Sequence, residues 1–473
     1  MDNAIAPTAL FDAELVRRYD MAGPRYTSYP TAPQFQTGFS PQQYLAQVDV
    51  SNGDPLPKPL SVYLHLPFCT SPCFYCGCTR IITRDRSRGT NYLSYMQREI
   101  RLQSAQFDRD RQVLQLHLGG GSPNFHSPEE LGSLLQTLAQ NFSLAPPQSR
   151  EFGIEIDPRM TTPEDLTALH ELGFNRISMG VQDFDRQVQE AINRVQGQEP
   201  TLELITKAQA LGFRSVNVDL IYGLPKQTLQ GFDRTLEAII AARPARIAAY
   251  SYAHLPMRFK AQRQINDADM PTPEVKLALL QLTVERLLQA GYVYIGMDHF
   301  ALPEDELSLA LGNGSLQRNF QGYSTHAQCD LIGMGMSSIG NVGDAYVQNR
   351  RLLADWQRAL DANELAIEKG VLLDADDRLR RSAIQSLMCQ GELNFDRFGD
   401  RHSIDFRNYF DAELERLLPL ATDGLIELDR NHIQVTPRGR FLLRPVAMCF
   451  DAYLHQSKGA AAQSPQPSYS KVI

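Results

Sequence analysis

Short apolar runs alternate with longer amphipathic stretches between about residues 58 and 300 of the chain. The runs are rich in β-branched and aliphatic residues, and their alternation with helical patterns is typical of repeated βα units around a parallel sheet. The strands that this pattern predicts are 61–66, 113–118, 152–156, 176–179, 215–221 and 246–250. We therefore expect an α/β fold whose parallel strands are covered on both faces.

Start and stop signals mark the helices between these strands. Ser127 precedes Pro128 and Glu130, which predicts a capping box, and Thr162 and Thr272 are followed by Pro-Glu in a similar way. A glycine followed by an aromatic residue ends three of the amphipathic stretches, at 172–174, 211–213 and 290–292. Because glycine ends helices in the left-handed conformation, these sites predict recurrent junctions from helix to strand.

Near residue 370 the alternation stops and helical patterns follow. Helices are predicted over 374–389 and 404–418, and a hairpin is predicted around 429–431. Helices with a hairpin resemble a winged helix, a shape that nucleic-acid readers share. The segment lacks a dense basic face, which disfavours DNA binding and leaves it as an alternative to test by salt-dependent affinity for a duplex.

Composition is that of an ordinary globular protein. Of the 473 residues, 43% are hydrophobic and 21% are charged, which excludes general disorder. The formal net charge of −8 gives no overall attraction to nucleic acid or to an anionic membrane. No apolar run approaches the ~18 residues of a spanning helix, and the N-terminus shows neither a signal nor a transit pattern. We expect a cytoplasmic monomer.

Four of the seven cysteines lie within ten residues, from Cys69 to Cys78. The cytoplasm keeps thiols reduced, which favours a metal or catalytic site over disulfides. Structural zinc would need a fourth ligand, such as Cys78 or His65, but zinc sites usually join two separated ligand pairs. The spacing C-x3-C-x2-C of Cys69, Cys73 and Cys76 differs from that of bacterial ferredoxins and suits a [4Fe–4S] cluster that leaves one iron open to a chelating cofactor.

Glycine and polar residues follow the predicted strands. The segment LHLGGGSP (116–123) ends one of them, and its glycines allow a charged ligand to approach the backbone closely. Sites in βα barrels lie at the carboxyl ends of the strands. The polar residues that follow other strands are Glu155, Asp157, Gln182, Arg194 and Asp219. Each alone is typical of a protein surface, but their joint placement predicts one site.

The pattern C-x3-C-x-aromatic-C, with Tyr75 in the aromatic position, is the hallmark of radical S-adenosylmethionine (SAM) enzymes. From Tyr19 to about Leu454 the chain resembles one family of them, the oxygen-independent coproporphyrinogen III oxidases of haem biosynthesis. The matching segments are YDMAGPRYTSYPTAPQF, YLHLPFCTSPCFYCGC, GGGSP, FNRISMGVQDF, VDLIYGLPKQT, YAHLP, GMDHFA, RNFQGYST and MCFDAYL. Ser122 is one departure, since many members carry threonine there, but both residues supply a hydroxyl group. A related haem chaperone branch lacks the RYTSYPTA arm and typically lacks Cys78, whereas this chain has both.

The resemblance implies a fold and a cofactor set. The fold is a partial (β/α)6 TIM-like barrel of the radical SAM type, with an N-terminal arm and a mostly helical, winged-helix-like C-terminal domain. The cofactors are two SAM molecules and one [4Fe–4S] cluster, held by Cys69, Cys73 and Cys76 with Cys78 nearby but not a ligand. The contacts implied for the first SAM are Tyr63, Tyr75, Gly120, Glu155 and Ile339, and those for the second are Gly121, Ser122, Gln182, Arg194, Asp219 and Ala253.

The implied reaction is the oxidative decarboxylation of two propionate side chains of coproporphyrinogen III to vinyl groups. A 5′-deoxyadenosyl radical, formed when the reduced cluster cleaves SAM, removes hydrogen from the propionate β-carbon before CO2 is lost. The implied partners are coproporphyrinogen III, an electron donor of the flavodoxin or ferredoxin type and an unknown electron acceptor, with no nucleic acid and no membrane span. Cationic candidates for binding the substrate carboxylates are Arg25, Lys226, His299 and Arg318.

Four segments describe the predicted organisation. The prolines in residues 23–35 argue against a long helix and indicate an ordered arm or lid. The last residues are low in complexity, and we expect them to be mobile. The segments are the N-terminal arm (1–55), the radical SAM catalytic domain (56–370), the C-terminal helical domain (371–455) and the tail (456–473).

Overall fold

The structure is a computed structural model that describes residues 11–326, 329–456 and 469. Its strands are β1 (Gln36–Thr37), β2 (Leu60–Leu66), β3 (Phe68–Cys69), β4 (Ile81–Ile82), β5 (Gln112–Gly120), β6 (Ser143–Leu144), β7 (Glu151–Ile156), β8 (Arg176–Gln182), β9 (Ser215–Tyr222), β10 (Arg246–Ser251), β11 (Val293–Gly296), β12 (His299–Ala301), β13 (Gln317–Asn319), β14 (Gly322–Ser324), β15 (Asp330–Met334), β16 (Ile339–Val342), β17 (Ala345–Asn349), β18 (Ile367–Leu372), β19 (Glu392–Asn394), β20 (Ile426–Leu428) and β21 (His432–Val435).

The α-helices are α1 (Ala13–Arg18), α2 (Pro41–Asn52), α3 (Arg86–Ser104), α4 (Pro128–Asn141), α5 (Pro163–Glu171), α6 (Arg186–Ala191), α7 (Gln198–Leu211), α8 (Leu229–Ala242), α9 (Pro273–Gln289), α10 (Glu306–Gly312), α11 (Leu353–Asp361), α12 (Ala375–Cys389), α13 (Phe395–His402), α14 (Phe406–Tyr409), α15 (Asp411–Thr422), α16 (Leu443–Met448) and α17 (Ala452–Gln456). Among the described residues, no helix is long and apolar enough to cross a membrane.

The chain forms two compact units. Of the described residues, the barrel unit contains 35–272 and 329–372, and the second unit contains 11–34, 273–326, 373–456 and 469. The four segments drawn from the sequence divide the chain by function, and that division stays a prediction. Most of the proposed tail (456–473) lies outside the described residues.

Parallel strands form the centre of the barrel unit. They pair in the order β15, β2, β5, β7, β8, β9 and β10. The six predicted strands correspond to β2, β5, β7, β8, β9 and β10, and their ends agree with the prediction to within three residues. Six of the seven residues of β2 are buried, as expected where both faces of a strand are covered. The expected α/β barrel fold is confirmed.

Helix boundaries follow the predicted local signals. Capping boxes form at Ser127 and Thr162, where each side chain accepts the N–H of the third helical residue. Gly173, Gly212 and Gly291 have φ of +93°, +88° and +85°, which is the left-handed conformation expected where helices end. The recurrent junctions from helix to strand are therefore confirmed.

One local prediction differs from the structure. The single helix predicted over 404–418 is divided into α14 and α15, because Phe410 between them leaves helical geometry with φ −108° and ψ 29°. Residues 23–35 form no α-helix, as their prolines predicted, and the 12-residue helix α2 begins after them. Pro41 is tolerated there because it takes the first helical position, where a missing N–H breaks no helical hydrogen bond.

In the second unit, β19, β21 and β20 form a three-stranded antiparallel sheet beside helices, as the winged-helix-like prediction required. The predicted hairpin joins β20 to β21. Its turn is fixed by Asp429, whose carboxylate accepts the backbone N–H groups of Asn431 at 2.7 Å and His432 at 2.9 Å. Asx-type bonds of this kind explain why Asp and Asn mark turns.

A buried ion pair joins β15 to the chain before β5. The Arg111 guanidinium donates to the Asp330 carboxylate at 2.5 Å, and their side chains are only 1% and 3% exposed. Asp330 also accepts the backbone N–H of Gly343 at 3.2 Å. Removal of the carboxylate would leave a guanidinium buried without its counterion, which is far costlier than losing an exposed pair.

Asp330→Ala is expected to lower the free energy of unfolding by about 3–5 kcal/mol. The matched control is Asp361→Ala, which removes an exposed pair with Arg98 and should cost less than about 1 kcal/mol. Urea titration followed by the fluorescence of Trp356, the chain's one tryptophan, measures both. Equal losses would contradict the role given to the Arg111–Asp330 pair.

Candidate active site

The cysteine loop leaves the carboxyl end of β2 and is closed at its base by backbone hydrogen bonds. The short strands β3 and β4 pair in parallel. Ile81 donates its N–H to the carbonyl of Pro67 at 2.7 Å, and Thr83 donates to that of Cys69 at 2.9 Å. These bonds fix both ends of the loop, so its cysteines are displayed from a rigid frame.

Arg80 braces the loop from within. Its guanidinium donates to the carbonyl oxygens of Cys76 at 2.9 Å and Cys73 at 3.1 Å. The backbone N–H of Cys78 donates to the Cys76 sulfur at 3.4 Å. A single side chain thus satisfies carbonyls that the tight loop leaves without secondary-structure partners. Arg80 is a functional residue that the sequence prediction missed, because an arginine in a loop carries no distinguishing pattern.

A pocket of ≈ 260 Å³ opens beside the loop at the carboxyl ends of the parallel strands. Of the predicted site residues, it is lined by Cys69, Cys73, Cys76, Tyr75, Gly120, Gly121, Ser122, Glu155, Gln182, Arg194 and Asp219. Cys78 lines it too. The structure therefore brings together eleven residues that are spread over 151 positions of the sequence, from Cys69 to Asp219.

The three remaining SAM candidates do not line this pocket. The hydroxyl group of Tyr63 lies 3.2 Å from Nδ1 of His65, and Ile339 begins β16. The carbonyl oxygen of Ala253 accepts a hydrogen bond from Gln262, which also donates to the carbonyl of Tyr75 at 2.9 Å. Ala253 is thereby tied to the cysteine loop through Gln262.

The glycine segment approaches the loop so closely that side chains are excluded. A Cβ atom at Gly121 would lie 2.6 Å from the carbonyl group of Pro67, and one at Gly120 would lie 2.6 Å from the His65 ring. Gly120 also has φ +114°, which only glycine adopts readily. These glycines therefore allow the strand end to pack against the cysteine loop, while the predicted close approach of a charged ligand stays a prediction.

Glu155 points at the glycine segment. It accepts the N–H of Gly120 at 3.2 Å, and its other oxygen lies 3.1 Å from Nε2 of His117. Burial alone would raise the pKa of Glu155, but the interactions with His117 and Gly120 outweigh it and lower the pKa. Glu155 is therefore a carboxylate suited to accept hydrogen bonds from a ligand.

Asp219 differs from Glu155 in its hydrogen-bond partners, which are the neutral side chains of Asn217 and Ser178. Burial and the Glu155 charge raise the pKa of Asp219 to about 6. Asn217 donates to it at 2.9 Å and Ser178 at 3.2 Å. The pocket is lined by three carboxyl groups, those of Glu155, Asp157 and Asp219, and Asp219 is the one that takes up a proton just below neutral pH.

Asp157 joins two arginines next to Cys73. Its carboxylate accepts from Arg159 at 2.5 Å and from Arg194 at 3.3 Å. Burial favours the neutral acid, but the charges of Arg194 and Arg159 prevail and lower the pKa of Asp157. The sequence prediction missed Arg159. The only signal for a role in the site was its position just after the strand end 155–157.

Several hydrogen-bond donors face the cysteine sulfurs. Arg194 donates to the Cys73 sulfur at 3.5 Å and Arg159 does so at 3.7 Å. The Ser122 hydroxyl group donates to the Cys69 sulfur at 3.6 Å. Burial raises the pKa of the Cys69 thiol to about 11, so this sulfur needs an electrophilic partner to be held as a thiolate.

Gln182 completes the polar wall. It ends β8 with φ +68°, an unusual conformation for a residue other than glycine. In the described structure its buried amide oxygen has no hydrogen-bond partner. A strained residue with an unpaired acceptor in a pocket indicates a ligand that donates a hydrogen bond there.

Three of the four cationic candidates lie together in the second unit. Arg25 pairs with Asp298 at 2.6 Å, and Arg318 donates to the Arg25 carbonyl at 3.2 Å. Burial and the Arg318 charge lower the pKa of His299 to about 4. The sequence prediction missed Arg444, which is buried and donates to the carbonyl of Pro24 at 3.2 Å.

One observation describes the charge of this cationic group, defined as Arg25, His299, Arg318 and Arg444. Burial and the neighbouring Arg25 charge lower the pKa of Arg444 to about 10, which indicates positive potential at that position. The remaining candidate, Lys226, lies in the barrel unit, and its ammonium group is 3.9 Å from Asp269.

Comparison with known proteins places this geometry in a class. The family model of the radical SAM superfamily matches residues 63–239, and that of the HemN C-terminal domain matches residues 373–442. An oxygen-independent coproporphyrinogen III oxidase from Pseudomonas aeruginosa is 49% identical over 447 residues, which cover 94% of this chain and 97% of the relative. The relative of the same name from Escherichia coli K12 is 44% identical over 446 residues, which cover 94% and 96%.

A solved structure agrees with these relatives. It is described as the coproporphyrinogen III oxidase (HemN) from Escherichia coli, a radical SAM enzyme, and matches with a TM-score of 0.89 and 43% identity over 94% of this chain and 99% of that one. The fold and site are therefore those of a radical SAM enzyme, an oxidoreductase whose class uses a [4Fe–4S] cluster and SAM. The chain belongs to the family of oxygen-independent coproporphyrinogen III oxidases.

The residues of the pocket fit these cofactors. The three cysteines line one pocket, which suits a cluster whose thiolate ligands bind different iron atoms. The donors that face Cys69 and Cys73 suit thiolate ligands, because hydrogen bonds to sulfur strengthen with its negative charge.

Gly121→Ala is expected to lower the free energy of unfolding by about 1–3 kcal/mol, because its Cβ would overlap rigid backbone of the cysteine loop. Gly312→Ala is the control, since its Cβ would meet nothing within 4 Å. Urea denaturation compares the two variants. A Gly121→Ala protein as stable as the control would show that the loop and the glycine segment are not held in contact.

Proposed function

We propose that this chain catalyses the oxygen-independent oxidative decarboxylation of two propionate side chains of coproporphyrinogen III to vinyl groups, which gives protoporphyrinogen IX in haem biosynthesis. The observation that carries the proposal is the three-cysteine loop in contact with a glycine-rich strand end, in a chain of this family. When bound, the reduced cluster supplies the electron that cleaves SAM to methionine and the 5′-deoxyadenosyl radical that removes a propionate hydrogen atom.

Cys69, Cys73 and Cys76 are the proposed cluster ligands, and Cys78 is a neighbour. The hydrogen bond that the Cys78 thiol donates to the Cys76 sulfur lowers the pKa of Cys76, which assists its deprotonation. Arg159 and Arg194 place positive charge at the Cys73 sulfur. Such contacts adjust the reduction potential of an iron–sulfur cluster.

Two SAM molecules are proposed, each with its own contacts. The first would be bound by Tyr63, Tyr75, Gly120, Glu155 and Ile339, and the second by Gly121, Ser122, Gln182, Arg194, Asp219 and Ala253. The Glu155 carboxylate suits the SAM ammonium group, and the unpaired oxygen of Gln182 suits a ribose hydroxyl or an amine. Arg194 suits a SAM carboxylate. Its guanidinium group would then be shared between that carboxylate and Asp157.

The cationic group of the second unit is proposed to bind substrate carboxylates. Coproporphyrinogen III carries four propionates, and burial of an unpaired carboxylate costs several kcal/mol. Arg25, Arg318 and Arg444 supply guanidinium groups for this purpose. His299 is neutral and its Nδ1 donates to the carbonyl of Met297 at 2.7 Å, so it stays a candidate on its sequence segment and adds no positive charge. Lys226 stays a candidate only because it lies in the matching segment VDLIYGLPKQT.

The wider assignments are also proposals. We propose a cytoplasmic monomer that takes electrons from a flavodoxin or ferredoxin, with an electron acceptor of undefined identity. The arm (1–55) is proposed as a lid that keeps water out, because a primary alkyl radical attacks most C–H bonds and its selectivity depends on position in a dry cavity.

Anaerobic incubation of the cluster-loaded protein with dithionite, SAM, an electron acceptor and coproporphyrinogen III tests the reaction. We expect release of CO2 together with formation of 5′-deoxyadenosine, measured by trapping and chromatography. The absence of both products while the cluster stays intact would defeat the proposed function. A colourless, zinc-loaded protein would defeat the cluster itself.

Cys73→Ser is expected to lose the cluster, whereas Cys78→Ser should retain about four irons per chain. The reason is that Cys73 is a proposed ligand and Cys78 only a neighbour. Iron analysis and absorption near the thiolate-to-iron band measure the difference. Loss of iron in both variants would instead make Cys78 a ligand.

A further inference from the structure

A basic segment covers one side of the cysteine loop. Residues 254–266, HLPMRFKAQRQIN, hold Arg258, Lys260 and Arg263 and no acidic residue, although the chain as a whole has a net charge of −8. All three cationic residues are exposed. Met257 between them is 88% exposed, which is unusual for a large apolar side chain.

This basic segment is fastened to the cysteine loop. Gln262, only 2% exposed, donates to the carbonyls of Tyr75 at 2.9 Å and Ala253 at 3.2 Å, and accepts the N–H of Leu255 at 2.5 Å. The buried Gln262 amide thus holds the segment against the loop, because its NH2 group donates and its oxygen accepts.

Phe259 lies between the surface and the cysteines. Its ring packs over Gly77, where an added Cβ atom would be 3.0 Å from the ring. The Arg258 guanidinium lies 5.5 Å from the centre of the same ring. Gly77 and Cys78 are themselves exposed. The basic segment and the exposed part of the loop therefore adjoin each other.

The nearest carboxylates along the chain lie beside bases other than Arg258, Lys260 and Arg263. Asp267 lies 2.9 Å from Nε2 of His254, and Asp269 lies 3.9 Å from the ammonium group of Lys226. Each has a base of its own beside it. Exposed cations around an exposed methionine match the composition of protein interfaces, in which Arg and Met are enriched.

We propose that residues 257–263, together with Gly77 and Cys78, are the docking surface for an acidic one-electron carrier protein. The inference rests on the proposed function, since a [4Fe–4S] cluster in the neighbouring loop must be reduced. In the transfer, the reduced carrier loses one electron and the cluster gains it, with no proton or atom exchanged. Because the rate of electron transfer falls steeply with distance, a carrier benefits from docking where the loop is exposed.

Charge complementarity explains why such a surface is needed here. A carrier with net negative charge is repelled by a chain of net charge −8, so association depends on a local patch of opposite sign. Complexes for electron transfer are commonly small, below about 1,200 Å² of buried area. A patch of three cations around Met257 suffices for that size.

The test compares two double variants of the full-length, cluster-loaded protein. Arg258→Glu/Lys260→Glu reverses the charge of the docking surface. Arg84→Glu/Arg88→Glu makes the same change in charge at two other exposed arginines. These residues follow β4, which comes after the cysteine loop in the sequence. The probe is an acidic flavodoxin reduced to its hydroquinone, and stopped-flow bleaching of the cluster absorbance gives the rate of reduction.

We expect the docking-surface variant to be reduced by flavodoxin at least roughly tenfold more slowly than the natural protein at low salt, with a weaker salt dependence. The control variant should stay within about twofold, as expected for charges outside an interface. Dithionite should reduce all three proteins at one rate. The dithionite measurement separates the docking surface from the proposed function, because dithionite-driven turnover tests the reaction without a docked carrier protein.

Three results would overturn the docking surface. They are an unchanged flavodoxin rate in the Arg258→Glu/Lys260→Glu variant, an equal or larger loss in the control variant, and slowed reduction by dithionite, which would assign these residues to the integrity of the cluster site. Rescue in the docking-surface variant by a flavodoxin carrying Lys in place of surface Glu residues would support it further.

Discussion

Backbone hydrogen bonds between the cysteine loop and the neighbouring strand end hold the site together. Gly121 donates to the carbonyl of Leu66 and Ser122 to that of Phe68, both at 2.9 Å. Since β2 and β5 are adjacent parallel strands, these bonds continue their ladder beyond the sheet. The spacing between the thiols and the glycines is therefore set by main-chain geometry, and the side chains around them adjust to that fixed frame.

The charges of the pocket are arranged around this frame in two groups. Glu155 lies beside the glycines, where N–H groups and His117 stabilise its charge. Arg194 and Arg159 lie beside Cys73, with Asp157 between them as counterion. The pocket thus offers a carboxylate for a ligand's ammonium group and guanidinium groups for a ligand's carboxylate, which are the charges that zwitterionic amino acid cofactors carry.

Much of the fold and of the candidate site was predictable from the sequence, because strands, capping boxes and the C-x3-C-x2-C spacing are local patterns. The parallel sheet then brings Glu155, Gln182 and Asp219 to one edge, as strand-end placement predicted. The roles of individual side chains were not predictable. Arg80 and Arg159 look like ordinary surface arginines in the sequence, although one contacts carbonyl groups of its own loop and the other the distant Cys73 sulfur. The division of the predicted helix at Phe410 has no proline or glycine to announce it.

The central claim is that three thiolates hold a cluster whose fourth iron stays open to SAM. The most direct measurement is the electron paramagnetic resonance spectrum of the reduced, cluster-loaded protein before and after addition of SAM. We predict a shift of the g-values on addition of SAM, together with hyperfine coupling to 15N or 17O placed in its amino or carboxylate group. An unchanged spectrum at saturating SAM, with no such coupling, would contradict the claim.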